Sequence, residues 1–186
     1  FEIINGTTTF RDLIYGEEFC QGIRDDRELK AFVPGGGSAP WFLPDQLDLP
    51  FESKLVGAAG SMLGSGAIMV MDETTDIPRA ALSLVRFYAH ESCGKCTPCR
   101  EGGTWLERIL SRICDGYGAP EDLDLLLSAG STICPGAYPH AASSRLGIEA
   151  TPFPFKMTTI CFVGPSAFNS VHSSLTLFRD EYEAKI

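Results

Sequence analysis

Three cysteines, Cys93, Cys96 and Cys99, stand within seven residues in the run Ser92-Cys93-Gly94-Lys95-Cys96-Thr97-Pro98-Cys99-Arg100. Gaps of two residues let a tight turn wrap three thiols around one centre, so any fold this chain adopts must present that turn intact. Thiolates are soft ligands suited to iron–sulfur clusters and to zinc. A [4Fe–4S] cluster takes four thiolates, commonly three from a compact run and one from elsewhere. Zinc sites more often use two separated pairs. The spacing therefore favours a cluster, with zinc as the alternative. Gly94 permits close backbone approach, and Lys95 and Arg100 set positive charge beside a negative, thiolate-ligated centre.

The other four cysteines, Cys20, Cys114, Cys134 and Cys161, stand far apart and bring the total to an odd seven. A disulfide framework would want an even, distributed set behind a signal peptide. Phe1-Glu2-Ile3-Ile4 has neither a basic region nor a long apolar one. The expected compartment is reducing, and without an initiator Met the chain reads as a piece of a longer one. Cys20 and Cys114 are expected to be small buried hydrophobes. With 15 Lys+Arg against 24 Asp+Glu, the net charge of -9 argues against nucleic acid or an anionic membrane surface as the main partner. Leu55 to Met71 runs 17 residues without a charge but holds four Gly and two Ser. It reads as a flexible loop leading into a strand, and no membrane insertion is expected.

The chain changes character near residue 72. Before it, Phe1–Ile4, Leu29–Val33 and Ala67–Met71 are strand candidates, and the threonines after Gly6 offer an N-cap for a helix presenting Phe10, Leu13 and Ile14. Pro34-Gly35-Gly36-Gly37 stops the second strand. After residue 72 helices dominate. One begins at Ile77-Pro78 behind the acidic run 72–76 and presents Leu82, Val85 and Tyr88 on the way to His90. A second spans Thr104 to Ile113 with Leu106, Ile109 and Leu110, and a third runs from Pro120 through Leu127. A last helix begins near Pro165 with Val171, Leu175 and Phe178 on one face. The segment 135–158 has no clear period and reads as an inserted surface loop. The expected class is α+β.

The run from His90-Glu91-Ser92 through Arg100-Glu101-Gly102, followed by Trp105, resembles the cluster-binding signature of the NADH-binding flavoprotein subunit of respiratory complex I. Diaphorase subunits of NAD-linked hydrogenases and formate dehydrogenases are relatives of that family. The likeness continues in Leu29-Lys30-Ala31 to Gly36, in Gly64-Ser65-Gly66-Ala67 through Thr75, and in Phe178-Arg179-Asp180-Glu181-Tyr182-Glu183. It implies a small ubiquitin-like β-grasp domain at 1–72, then a four-helix-bundle [4Fe–4S] domain at 73–186. It also implies the C-terminal half of a subunit that takes a hydride from NADH onto FMN and passes single electrons through the cluster toward quinone. The implied partners are the adjacent iron–sulfur subunits of a complex I-type assembly. The implied place is peripheral, on the cytoplasmic side of a bacterial inner membrane or the mitochondrial matrix side.

In that family the fourth ligand lies roughly forty residues beyond the third, just before a Gly-Asp/Glu-x-Ala turn. Cys134 lies 35 residues after Cys99 and Cys161 lies 62 after it, so distance alone favours Cys134. Yet Cys161-Phe162-Val163-Gly164 has the family's Cys-x-x-Gly turn and its spacing to the final helix. Cys161 is therefore the expected fourth ligand, with Cys134 the alternative. Pro165 stands where the family usually has an acidic residue. A Gly-rich phosphate loop of the kind that would hold FMN and NADH is not found: Gly35-Gly36-Gly37 and Gly64-Ser65-Gly66 do not open a helix after a strand. Both cofactors are expected only on residues not present here. His90 reads as a helix-end histidine or as a group near the cluster, and Arg100 as a helix-end salt bridge or as a charge that tunes it. A zinc-stabilised interaction module is the reading from another functional class.

Overall fold

The computed structural model describes residues 3–4, 6–135 and 156–186, and the loop expected at 135–158 lies almost wholly outside the described residues. The architecture is mixed, rich in helix, with a small two-stranded sheet. It divides into two compact units, Phe1–Thr75 and Asp76–Ile186.

The first unit is built around phenylalanine. Helix α1 (Phe10–Tyr15) starts where the threonines foretold: Thr9 and Asp12 exchange hydrogen bonds in a capping box, with Thr9 N–H donating to Asp12 Oδ2 at 2.8 Å. That cap aims Phe10 into the core, where its ring lies 5.1 Å from Phe32, 6.3 Å from Phe42 and 5.4 Å from Phe51. Tilted aromatic pairs of this kind contribute about 0.5–1.5 kcal/mol each beyond the area they bury. Strand β1 (Leu29–Val33) pairs antiparallel with β2 (Met69–Asp72), and Phe32 also exchanges both backbone hydrogen bonds with Phe42, at 2.9 and 2.8 Å.

Two expectations change here. The strand expected over Ala67–Met71 runs instead over Met69–Asp72: left-handed Gly64 and Gly66 precede it, and Ala67 O is taken by the Gly36 N–H of the glycine turn. The uncharged stretch before it opens with a short helix, α2 (Ser53–Ala58), capped by the Glu52 carboxylate on the N–H groups of Lys54 and Leu55. The glycine turn has a structural task. A Cβ on Gly35 would collide with the backbone of Met62 and Leu63, and Gly36 N–H donates to Ala67 O at 2.6 Å. The turn lets two backbones touch.

Asp72 closes this unit. Its carboxylate accepts from the Thr74 hydroxyl at 2.7 Å, from Arg27 at 2.9 Å, from the Thr75 hydroxyl at 3.1 Å and from the Thr74 N–H at 3.0 Å. These bonds, led by the Thr74 hydroxyl and the Arg27 guanidinium, outweigh desolvation and hold the carboxyl well below the usual carboxylate range. A depressed folded pKa gives stability that is full above the unfolded value of about 3.9 and is lost as pH falls toward the folded one. Asp72→Asn is therefore expected to lower the urea midpoint at pH 7, with the gap to the parent much narrower by pH 2. A gap unchanged between those pH values would show that the carboxylate's charge contributes nothing.

The second unit is helical: α3 (Ile77–Glu91), α4 (Thr97–Cys114), α5 (Glu121–Ile133), α6 (Val163–Leu177) and α7 (Arg179–Glu183). Helix α3 packs on α4 and α6, α4 packs on α5 and α6, and α5 packs on α6. Asp76 caps α3 by accepting the Arg79 N–H at 3.2 Å, with Pro78 in the first turn. The shared core holds Leu82, Val85, Leu106, Leu110, Ile113, Val171 and Leu175 from the expected faces, joined by Leu123, Leu126, Leu127 and Phe168, while Tyr88, Ile109 and Phe178 are only half-buried. The buried Asp122 carboxylate sits against the guanidinium of Arg112 and also accepts the Ala119 N–H at 2.9 Å. Expected boundaries shift at three helices. Helix α4 starts at Thr97 rather than Thr104, which puts Cys99 inside its first turn. Helix α5 continues to Ile133. The last helix breaks at Phe178 (φ −136°, ψ 43°), so that Tyr182 turns inward and its hydroxyl meets the buried Ser174 hydroxyl at 2.6 Å. Among the described residues no helix is long and apolar enough to cross a membrane.

Candidate iron–sulfur site

Helix α3 ends at Glu91, and the chain turns back through Ser92 to Cys96 before α4 begins. Gly94 takes a φ of +76° in that turn. The Arg100 guanidinium reaches back to donate to Gly94 O at 2.7 Å and pairs with Glu101 at 2.8 Å. Arg100 thus staples the turn and bridges to its helical neighbour. Cys93 is exposed, Cys96 is the N-cap of α4, and Cys99 is the third residue of the helix and is buried. An 18-residue helix directs the positive end of its dipole at the Cys96 and Cys99 positions, which suits thiolate charge. His90 is exposed in the last turn of α3, and His172 packs its ring against Phe168 at 5.8 Å.

Cys161 enters from far along the chain. Thr158 fastens the segment before it to the end of α5, donating its N–H to Ile133 O at 2.9 Å and its hydroxyl to Thr132 O at 2.7 Å. The Thr159 hydroxyl donates to Cys161 O at 2.8 Å, and the Ile160 N–H donates to Cys96 Sγ at 3.3 Å. The Cys161 loop is therefore in direct contact with the cysteine turn across 64 residues of sequence. Gly164 explains the Cys-x-x-Gly pattern: a Cβ there would lie 3.2 Å from Cys99 Cβ, 3.0 Å from Ile133 Cγ2 and 3.1 Å from Thr159 Cγ2. A side chain there would make Cys99, Ile133 or Thr159 give by a few tenths of an ångström, so glycine suits the close start of α6.

Cys134 is placed differently. It caps α5 at its C-terminus, fully buried, and burial pushes its thiol up to about 12. Cys114 is buried as expected and burial raises its thiol too, but Cys20 is exposed, contrary to expectation. Cys20 falls in the turn 16–22, where Gln21 and Gly22 take left-handed backbone and the backbone is tied back to Leu13 and Ile14, leaving the Cys20 side chain outward. Among the described residues no three His, Cys, Asp or Glu side chains converge on a point where one metal ion would sit. Sequence reasoning did not find the Ile160 N–H on Cys96 or the contact of Ser92 Oγ with Cys99 Sγ at 3.4 Å. The first is a backbone group with no side-chain signal. The second depends on how the turn folds.

Residues 79–141, which include the cysteine turn, match the family model of the NADH-ubiquinone oxidoreductase-F iron-sulfur binding region. That span includes Cys93, Cys96, Cys99 and Cys134 and ends before Cys161. The chain is 39% identical over 178 residues to the F subunit of NADH-quinone oxidoreductase from Mycobacterium tuberculosis (strain H37Rv) and 40% identical over 178 residues to that of Streptomyces coelicolor. Each alignment covers 96% of this chain and 34% of the relative. A solved NAD+-reducing [NiFe]-hydrogenase in the H2-reduced state superposes with a TM-score of 0.71 at 25% identity, over 97% of this chain and 26% of that one. The chain is a homologue of the C-terminal part of the NADH-quinone oxidoreductase F subunit. It spans about a third of the length of the curated relatives it matches.

Proposed function

We propose that this chain is the electron-relay portion of an NADH-quinone oxidoreductase flavoprotein subunit, with Cys93, Cys96, Cys99 and Cys161 as the ligands of a [4Fe–4S] cluster. The observation that carries this reading is the Ile160 N–H on Cys96 Sγ, which sets the Cys161 loop against the cysteine turn. The residues fit such a group in three respects. Four thiols lie on two abutting segments, the α4 N-terminus offers positive potential, and Gly164 clears space beside Cys99. A bound [4Fe–4S] cluster supplies a one-electron relay. The protein's share is to hold the thiolates, to limit water at Cys99 and to donate hydrogen bonds to sulfur, which together set the potential.

On this reading the segment 1–72 is a β-grasp domain and 73–186 a four-helix-bundle cluster domain. FMN and NADH bind the rest of the subunit, single electrons pass from FMN through this domain to downstream clusters, and the adjacent iron–sulfur subunits are the partners. The assembly is peripheral, on the cytoplasmic or matrix face. A diaphorase subunit of an NAD-linked hydrogenase is the second reading, favoured by the match to the NAD+-reducing hydrogenase.

A zinc module is less well supported, because zinc sites draw on two separated ligand pairs and here three cysteines share one turn. Anaerobic reconstitution decides between them. The expected product is brown, with about four irons and four sulfides per chain in keeping with four thiolate ligands. A colourless protein holding one zinc would sink the relay.

A further inference from the structure

Ser92 is the last residue before the cysteine turn and closes α3 at its C-terminal end. Its Oγ lies 3.4 Å from Cys99 Sγ and accepts the Gly94 N–H at 3.4 Å. With Gly94 as donor on one side, the hydroxyl proton is left to the other side. A thiolate bound to iron carries no proton, so between Oγ and Sγ only the O–H can donate. Cys99 is 8% exposed, where little water competes and a hydrogen bond to charge counts for more.

We propose that the Ser92 hydroxyl is a potential-setting donor: it hydrogen-bonds the Cys99 thiolate and favours the reduced state of the group that this thiolate holds. The inference rests on Cys99 being a cluster ligand. Its physical basis is general. One-electron reduction adds negative charge that the ligand sulfurs share, so a donor at a sulfur stabilises the reduced form more than the oxidised form. Ser92 acts through Cys99 and touches no substrate. Were it only a helix cap, its removal would change stability and leave the potential alone.

The test is an anaerobic redox titration of the reconstituted chain with dithionite and mediators, followed by EPR. Ser92→Ala is expected to load iron and sulfide like the parent and to have a more negative midpoint. The reduced-to-oxidised ratio at fixed potential should fall about threefold, or about 30 mV for a one-electron couple. Ser92→Thr, which keeps the hydroxyl, should restore the parent midpoint. A loaded Ser92→Ala protein with an unchanged midpoint overturns the proposal and leaves the ligand assignment standing. A parent chain that loads no cluster overturns both. Should Ser92→Ala fail to load, deuterium ENDOR on the reduced parent and Ser92→Thr proteins after exchange into D2O decides the matter. A coupling from the hydroxyl deuteron supports the donor role, and its absence from both proteins overturns it.

Discussion

Cys161→Ser is expected to abolish loading of iron and sulfide, whereas Cys134→Ser leaves the chain brown with its full complement. Both cysteines follow the turn at distances that could supply a fourth ligand, and the family match includes only Cys134. Structure separates them. Cys161 is exposed on a loop that Thr158 anchors to Ile133 and that Ile160 joins to Cys96 at 3.3 Å. Cys134 is sealed at the end of α5. A ligand must shed its proton, and burial that pushes the Cys134 thiol up to about 12 opposes that loss. Serine is a much weaker ligand for iron than thiolate, so removing a true fourth ligand should lower iron content from about four per chain toward zero. Iron and sulfide assays with the visible absorption band read the result. The reverse pattern, with Cys134→Ser colourless and Cys161→Ser brown, would overturn the assignment.

The second large effect needs no metal. Gly130→Ala in α5 should destabilise the helical unit by about 2 kcal/mol, although alanine is intrinsically better in a helix by about 1 kcal/mol. A Cβ at Gly130 would collide with the Phe168 ring of α6, and that ring is fully buried. The two helices approach closely only because position 130 has no side chain. The ring must move within a packed core, and overpacking of that kind costs about 1–3 kcal/mol. Urea denaturation measures the loss. Phe168→Leu combined with Gly130→Ala should be more stable than the sum of the single changes allows, by about 1 kcal/mol, because a smaller side chain relieves the collision. A Gly130→Ala protein more stable than its parent would mean that helix propensity wins and the contact is loose.

Several features are legible in the residues alone. The Thr9 cap, the helical faces of Leu82, Val85, Leu106 and Leu110, and β1 all follow from local rules of capping and periodicity. The cysteine turn announces itself through spacing. Other features are hidden because their causes are distant in sequence. The start of α4 is not one of these: Thr97-Pro98 is a local helix-start signal, and the helix begins there with Cys96 at its N-cap. Phe178 fits the apolar period of the last helix, yet the helix breaks there so that Tyr182 can reach Ser174. Nothing in the sequence around Cys20 shows that the turn 16–22 leaves it in water.

By itself, the sequence determined the chemistry available: three thiols at fixed spacing on a tight turn, an acidic chain, and a helical half following a strand-bearing half. Ligand spacing and apolar period are local, and local rules read them. That the segment before Cys161 lies against the turn was decided only by the tertiary structure. Thr158 on α5, Ile160 on Cys96 and Gly164 against Cys99 each join residues that chain order keeps apart. The same packing set Ser92 against Cys99 and buried Cys134. Burial and hydrogen bonding to sulfur depend on how helices close on one another, and no one-dimensional spacing carries that information.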